Sequence, residues 1–236
     1  MQDKVKNKIV CVVNDYELFN KVVKNNENSS GFEIIDFDNT TENISITKRY
    51  NDFINENILN PSNAPLEDYW VLFTHQDFGF LENIDSKLSK LDKSCIYGPI
   101  GVTLYKGLFI GKEGFKKSVS ITWGQILQGN NDFTFKKYGR KLLFQKIVDS
   151  VDCCCIMIHS SLIKKHNLLF DENLSFHMYA EELCYRAKKD YKISIKVVKT
   201  NCFHTGKGNL NEEFFKSVNY LKSKFNIERI PSTCKN

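Results

Sequence analysis

The 236-residue sequence lacks the features that mark several common classes of protein. It has no apolar run long enough to cross a bilayer and no signal-peptide pattern, so we expect a cytoplasmic protein. Its eight cysteines include no Cys-x-x-Cys pair, which argues against structural zinc and favours reduced thiols in a core. With only four prolines and 42% apolar residues, the composition is typical of a folded domain.

The net charge of the chain is also small. The formal net charge is +5, and the chain has no arginine-rich arm. This balance suits an anionic small ligand, a membrane surface or no particular partner, and it argues against nucleic acid as a partner.

Strand-like and helix-like patterns alternate through the first half of the chain. Strands are predicted at 8–13, 32–37, 70–74 and 95–102, the last broken at Gly98-Pro99, and helices at 16–24, 47–59 and 84–91. These spacings suit right-handed crossovers between parallel strands, which predicts an α/β fold with a nucleotide-binding first half.

The second half is less regular. Glycines interrupt short apolar pieces between 103 and 149, which predicts hairpins and a long loop. Further strands are predicted at 151–159 and 193–198, and helices at 160–166, 178–189 and 211–225.

The apolar run Tyr69 to Thr74 stops abruptly at His75-Gln76-Asp77. Ligands of open α/β sheets bind beyond the carboxyl ends of strands, where a carboxylate can hold a divalent cation and a phosphate. Asp77 is therefore a candidate metal ligand, although it could equally cap the next turn. His204 also follows a predicted strand and could complete the metal site, with Lys207 near a phosphate, but a lone histidine is more often structural.

Three other carboxylates are candidates for chemistry. Glu181 and Glu182 open a predicted helix, where they could serve as a general base or simply favour the helix dipole. Adjacent helical residues point about 100° apart, so both cannot serve one site equally. Asp152 enters a strongly apolar strand, where it needs a local partner or lines an acceptor site.

Taken in order, these motifs resemble those of nucleotide-sugar glycosyltransferases of the GT-A fold. More narrowly, they resemble family 2-like bacterial transferases with a His-Gln-Asp triplet in place of Asp-x-Asp. The matching motifs are His75-Gln76-Asp77, Gly98-Pro99-Ile100-Gly101-Val102, Val151-Asp152, Leu169-Phe170-Asp171-Glu172, Phe176-His177-Met178-Tyr179, Leu183-Cys184 and His204-Thr205-Gly206. The resemblance covers nearly the whole chain. It implies one GT-A domain over 1–236, with a nucleotide-binding half (1–102) and an acceptor-binding half (103–236).

The resemblance also implies roles for individual residues. Asp77 and His204 would bind Mn²⁺ or Mg²⁺. The nucleotide-sugar donor would be bound by Asn14, Asp15, Asp38, Tyr50, Asn51, His75, Gln76 and Asp77. The acceptor, a glycan or lipid-linked sugar of a bacterial surface glycan, would be bound by Asp152, His177 and Tyr179. Such acceptors imply peripheral association with the inner face of a membrane.

Two positions depart from the family pattern. His75 replaces the first carboxylate of Asp-x-Asp, and Ala180 stands where the family has its catalytic Asp. The base is then Glu182, Glu181 or another group, and the narrower family favours Glu182. The expected reaction is an inverting single displacement.

Two other functions compete with glycosyl transfer. A nucleotidyltransferase would carry a glycine-rich loop with a basic residue after the first strand, and Val13-Asn14-Asp15-Tyr16 has neither. A degenerate transferase that only binds nucleotide or sugar is consistent with His75 and Ala180.

Overall fold

The computed structural model describes residues 5–60, 62, 67–111, 114–130, 132–206 and 210–234, with the backbone alone for 106–111 and 114–118. The strands are β1 (Lys8–Val13), β2 (Glu33–Asp38), β3 (Trp70–His75), β4 (Phe78–Phe80), β5 (Cys95–Gly98), β6 (Gly101–Gly111), β7 (Gly114–Gly129), β8 (Phe135–Arg140), β9 (Lys146–Ile147), β10 (Ser150–Val151), β11 (Cys155–His159), β12 (Ser194–Val197) and β13 (Cys202–His204). The α-helices are α1 (Tyr16–Phe19), α2 (Ile46–Ile54), α3 (Asp85–Leu88), α4 (Ser160–His166), α5 (Tyr179–Tyr191) and α6 (Glu212–Phe225). Two π-helical turns, Asn20–Lys24 and Asn55–Leu59, extend α1 and α2, and Glu27–Ser29 forms a short 3-10 turn.

A seven-stranded sheet forms the centre of the described structure, in the order β2-β1-β3-β11-β5-β12-β9. β1 pairs in parallel with β2 and β3, and β5 pairs in parallel with β12. β11 is antiparallel to both β3 and β5, and β9 is antiparallel to β12. β1, β2, β3, β5 and β12 therefore run in one direction, which confirms the prediction of a mostly parallel sheet.

The sheet separates two hydrophobic cores. All six residues of β1 are buried, and they alternate between the cores, with Val10 and Val12 on one face and Ile9 and Cys11 on the other. Residues of α2, α4, α5 and α6 pack into the first core, and residues of α1 and α3 pack into the second. A strand buried on both faces reads as a continuous apolar run, as the sequence of β1 does. The α/β class and the flanking helices are thus confirmed.

The region from 103 to 149 confirms the predicted hairpins but differs from the predicted long loop. In place of a long loop it contains long antiparallel strands, β6 and β7, with β8 paired to the outer side of β7. These strands form a second sheet in the order β10-β6-β7-β13-β4. Gly124 sits at a bulge of β7 with φ of +86°, and a Cβ there would lie 2.1 Å from the carbonyl oxygen of Pro99. The glycine that suggested a loop therefore allows a long strand to pass closely over the chain at Pro99.

The predicted strand at 151–159 is also interrupted. β10 ends at Val151 and β11 begins at Cys155, because the Asp152 carboxylate accepts a hydrogen bond from the Cys154 amide at 2.9 Å and closes a turn. The break at Gly98-Pro99 is confirmed, since β5 ends at Gly98. β4 and β13 are additional short strands.

Within the described ranges, the structure contains no helix of the length and apolarity needed to cross a membrane. All eight cysteines lie in those ranges as free thiols, and six of them are buried. The division of the domain at residue 102 stays a prediction.

Candidate metal and catalytic site

The carboxyl end of β3 lies beside the end of β13. β13 pairs antiparallel with β4, which places His204 opposite Phe78, and the Thr205 amide donates to the Asp77 carbonyl at 3.0 Å. This pairing brings together His75, Asp77 and His204, each of which can offer one ligand atom, with these atoms all within 4.8 Å of one another. Among the described residues, it is the one group of this kind that could hold a metal ion.

Asp77 and His204 form the closest pair in this cluster. The Nε2 atom of His204 lies 3.2 Å from Oδ1 of Asp77, and both side chains are largely buried. Burial opposes both charges, but their mutual attraction outweighs it, so the pKa of His204 is raised and that of Asp77 is lowered. A Cβ on Gly206 would lie 2.3 Å from Oδ2 of Asp77, so the backbone at 206 packs directly on this carboxylate.

Gln128, near the end of β7, orients His204. Its side-chain amide nitrogen donates to the Gly206 carbonyl, so its oxygen, 3.3 Å from Nδ1 of His204, acts as the acceptor. Nδ1 therefore carries a proton, and Nε2 faces the Asp77 carboxylate, which attracts a second proton there. A metal ion bound at Nε2 would take the place of that second proton. Metal-binding histidines are commonly held in this way by an acceptor on their other nitrogen. The sequence carried no local signal for Gln128, because only the pairing of β7 with β13 places it opposite His204.

Tyr179 orients His75 in a similar way. The Tyr179 hydroxyl donates to the Cys153 carbonyl at 3.1 Å, so it accepts from Nε2 of His75 at 3.0 Å. This contact leaves Nδ1 of His75 with its lone pair. Burial lowers the pKa of His75 to about 4, which keeps the ring neutral, as a metal ligand must be. Phe176, about half exposed, stacks on the His75 ring at a centroid distance of 5.7 Å.

Tyr179 is therefore a supporting group for His75 and lies too deep to be a surface contact, since it is fully buried at the start of α5. Met178, just before it, has φ of +63°, a left-handed conformation that is uncommon for a large side chain. His177 is partly buried between the rings of Phe176 and Phe214. Acceptor binding by His177 and Tyr179 stays a prediction.

The carboxylates of Asp152 and Glu181 lie under the segment 231–234. Ser232 donates to Glu181 at 2.6 Å, and the Thr233 hydroxyl donates to Asp152. Burial raises the pKa of Glu181 to about 7, partly offset by the Ser232 hydrogen bond, and the Asp152 charge adds to the increase. The same Asp152 charge contributes to the raised pKa of His204, so Asp152 acts electrostatically on both Glu181 and the metal cluster.

Glu182 points away from this environment. Its side chain is fully buried, and Arg186 donates to both of its oxygens at 2.9 Å, with Nε bonded to one and a terminal nitrogen to the other. Lys224 of α6 donates to the same carboxylate at 2.8 Å and to Asp171 at 2.6 Å. The contact between Glu182 and Lys224 thus ties α5 to α6. The two glutamates lie in different surroundings because adjacent residues of a helix face different directions.

The residues predicted to bind the nucleotide divide into exposed and buried groups. Asn14, Asp15 and Asp38 are exposed at the ends of β1 and β2. Asp15 caps α1 by accepting from the Leu18 amide at 3.0 Å, and Asp38 accepts two hydrogen bonds from Thr40.

The other three predicted nucleotide-binding residues support the sheet. The Gln76 side-chain oxygen accepts from the amides of Asn14 and Asp15 at 2.7 and 2.9 Å, which joins the ends of β1 and β3. Tyr50 is fully buried and donates to the Thr74 carbonyl at 3.0 Å. Asn51 is also buried and exchanges two hydrogen bonds with the backbone of Phe170. Direct contact of any of these residues with a nucleotide stays a prediction, and Lys207 lies outside the described residues.

Comparison with known proteins shows distant likenesses to solved structures. No family model and no curated protein matches the sequence. Among solved structures, the chain is similar to GalNAc-T7 with UDP, GalNAc and Mn²⁺, at 10% identity and a TM-score of 0.49, over 93% of this chain and 48% of that one. It is also similar to S. aureus TarS 1–349 in complex with UDP-GlcNAc, at 12% identity and a TM-score of 0.44, over 93% of this chain and 66% of that one. A197 from STIV aligns at 11% identity and a TM-score of 0.42, over 86% and 87% of the two chains. This chain thus spans about half the length of the GalNAc-T7 chain, and likenesses at this level assign neither family nor activity.

Proposed function

We propose that the protein is a GT-A-type glycosyltransferase that moves a sugar from a nucleotide-sugar donor to an acceptor hydroxyl with the help of a divalent cation. The observation that carries this proposal is the cluster of His75, Asp77 and His204 at the carboxyl end of β3. The carboxyl ends of β1 and β2 lie beside it in the same parallel part of the sheet, where open α/β sheets bind nucleotides.

The donor atoms of the cluster suit a metal ion. Two imidazole nitrogens and one carboxylate oxygen fit Mn²⁺ better than Mg²⁺, which prefers oxygen ligands alone. When bound there, a cation would neutralise charge on the diphosphate that leaves from the donor. Tyr179 and Gln128 hold His75 and His204 in the tautomers that this role requires.

Glu181 is the proposed general base. It would accept the proton of the acceptor hydroxyl as that oxygen bonds to the anomeric carbon and the bond from this carbon to the diphosphate breaks, with inversion. A pKa of about 7 suits a group that accepts and releases a proton near neutral pH. Glu182, favoured by the family pattern, has both oxygens engaged by Arg186 and Lys224. An acceptor reaches Glu181 only after Ser232 moves, because Glu181 is nearly buried beneath it.

The test combines metal binding with turnover. Mn²⁺ titration and nucleotide-sugar hydrolysis or transfer, with UDP-, GDP-, CDP- and dTDP-sugars, would be compared between the wild type and Asp77→Ala. We expect the variant to lose at least about 100-fold in Mn²⁺ affinity and turnover, because even outer partners of metal ligands contribute about 10 to 100-fold. Asp190→Ala, at an exposed position of α5, is the matched control.

Two results would reject the proposal. If Asp77→Ala kept wild-type turnover, the metal cluster would have no part in the reaction. If the wild type bound nucleotide but neither hydrolysed nor transferred sugar with a broad panel of acceptors, the protein would be a binding module.

A further inference from the structure

The loop between β8 and β9 exposes an unusual amount of apolar surface together with the strand residues at its two ends. We call this segment, residues 140–147, the amphipathic loop. Leu143 and Phe144 are each 83% exposed and Ile147 is 62% exposed, more than any other large apolar side chain in the described structure. Leu142 is buried beside them and anchors the loop to the core. Single exposed apolar residues are ordinary, but adjacent ones of this size mark a surface that contacts another phase or molecule.

The same region concentrates positive charge. Residues 133–148 contain five basic side chains and no aspartate or glutamate: Lys136, Lys137, Arg140, Lys141 and Lys146. Their sum equals the formal net charge of +5 of the whole chain, so the remainder of the sequence is balanced. Arg140 and Lys146 lie over the Trp123 ring, at 5.8 and 4.7 Å from its centroid, at the base of the loop.

The amphipathic loop is separate from the proposed metal site. In the pairing of β7 with β8, Lys136 lies opposite Gln128, whereas Arg140 lies opposite Trp123. Gln128 lies five positions beyond Trp123 along β7, which corresponds to about 16 Å. Changes in the loop therefore leave the contacts of His75, Asp77 and His204 intact.

We propose that the amphipathic loop docks the protein on a membrane surface rich in anionic phospholipids. In this arrangement Leu143 and Phe144 enter the boundary between headgroups and acyl chains, and the three cations of the loop, Arg140, Lys141 and Lys146, contact the phosphate and carboxylate groups around them. Lys136 and Lys137, farther along β8, add to the electrostatic attraction. A bilayer offers negative charge and apolar depth at the same surface, which matches both properties of the loop. A nucleic acid would satisfy the cations but would leave the apolar tip in water.

Vesicle flotation tests the proposal. Wild-type protein would be mixed with vesicles of phosphatidylcholine alone, or of phosphatidylcholine and phosphatidylserine in equal parts. We expect binding to the anionic vesicles, weakened by salt, and little binding to the neutral ones. The double variant Leu143→Ser/Phe144→Ser should bind at least about tenfold more weakly, because two large side chains no longer leave water. Arg140→Gln/Lys141→Gln should lose about fivefold for each cation removed.

The controls separate membrane insertion from other effects. Phe215→Ser removes a half-exposed apolar side chain from α6, beside the acidic Glu212 and Glu213, and should bind like the wild type. All of these positions are exposed, so melting temperatures should be unchanged. In Phe144→Trp, the fluorescence of the introduced indole should be quenched by lipids with brominated acyl chains.

Three results would overturn the proposal. The wild type could fail to bind the anionic vesicles, or Leu143→Ser/Phe144→Ser could bind them as tightly as the wild type. Binding of duplex DNA in preference to the vesicles, equally strong in the Leu143→Ser/Phe144→Ser variant, would instead assign the basic segment to nucleic acid.

Discussion

Replacement of Glu182 by glutamine separates a role in the fold from a role in catalysis. The wild-type carboxylate is fully buried and accepts two hydrogen bonds from Arg186 and one from Lys224, at 2.8 to 2.9 Å. Glutamine keeps nearly the same shape but removes the negative charge. Its amide group also places N–H donors against two cations that can only donate.

The size of the effect follows from the burial of the three side chains. Loss of one partner from a buried ion pair typically costs about 3 to 5 kcal/mol. The Arg186 and Lys224 side chains retain 20% and 29% exposure, so water can partly compensate them. We therefore expect the unfolding free energy of Glu182→Gln to fall by about 2 to 3 kcal/mol. For a chain of this size, the melting temperature should fall by about 4 to 12 °C.

Chemical denaturation and thermal melting measure this loss, and turnover is measured per folded molecule. Glu17→Gln, at an exposed position of α1, is the matched control and should melt like the wild type. Glu182→Gln should keep its turnover, whereas Glu181→Gln should lose it. If Glu182→Gln kept the wild-type melting temperature but lost glycosyl transfer, both the structural role of Glu182 and the choice of Glu181 as base would be wrong.

Two further predictions concern the site itself. Gln128→Leu should weaken Mn²⁺ binding by about 10 to 100-fold, because His204 loses the acceptor that sets its tautomer. Gln125→Leu, on the same strand, should bind Mn²⁺ like the wild type. If isothermal titration gave Gln128→Leu the same Mn²⁺ affinity as the wild type, the role of Gln128 would be contradicted. Glu181 has a folded-state pKa of about 7 against its usual 4.5, so the folded state holds this proton more tightly. The contribution of Glu181 to stability should therefore fall as pH rises from about 4.5 through about 7. Denaturation at a series of pH values in this range should show the same fall in the unfolding free energy of the wild type relative to that of Glu181→Gln. A pH-independent difference would show that Glu181 titrates normally in the folded protein.

The sequence was sufficient for the features that depend on local pattern. The apolar run of β3 followed by His75-Gln76-Asp77 predicted both a buried strand and the polar residues at its carboxyl end. The same reasoning placed β1, β2 and most helices, because amphipathic periodicity reports directly which face of an element is buried. It also singled out Asp77 and His204, although it could not show that they are adjacent.

The sequence was insufficient where pairing with distant strands decides the structure. The glycines between 103 and 149 predicted hairpins and a long loop. The hairpins are present, but Gly124 lies within β7, where pairing with β6 and β8 extends the strand through close backbone contacts. The apolar run at 151–159 predicted one strand, but the Asp152 side chain closes a turn within it. A period-2 pattern alone contains neither of these contacts.

The composition of the site also depended on tertiary structure. Asp77 meets His204 because β13 pairs with β4, and His204 meets Gln128 because β13 also pairs with β7. Glu181 and Glu182 look equivalent in the sequence, yet one faces Asp152 and Ser232 and the other faces Arg186 and Lys224. The sequence by itself determined which residue types stand at the ends of the strands. Only the folded chain decided which of them share a site, because a hydrogen bond or a metal ligand requires distances of a few ångströms between residues far apart in the chain.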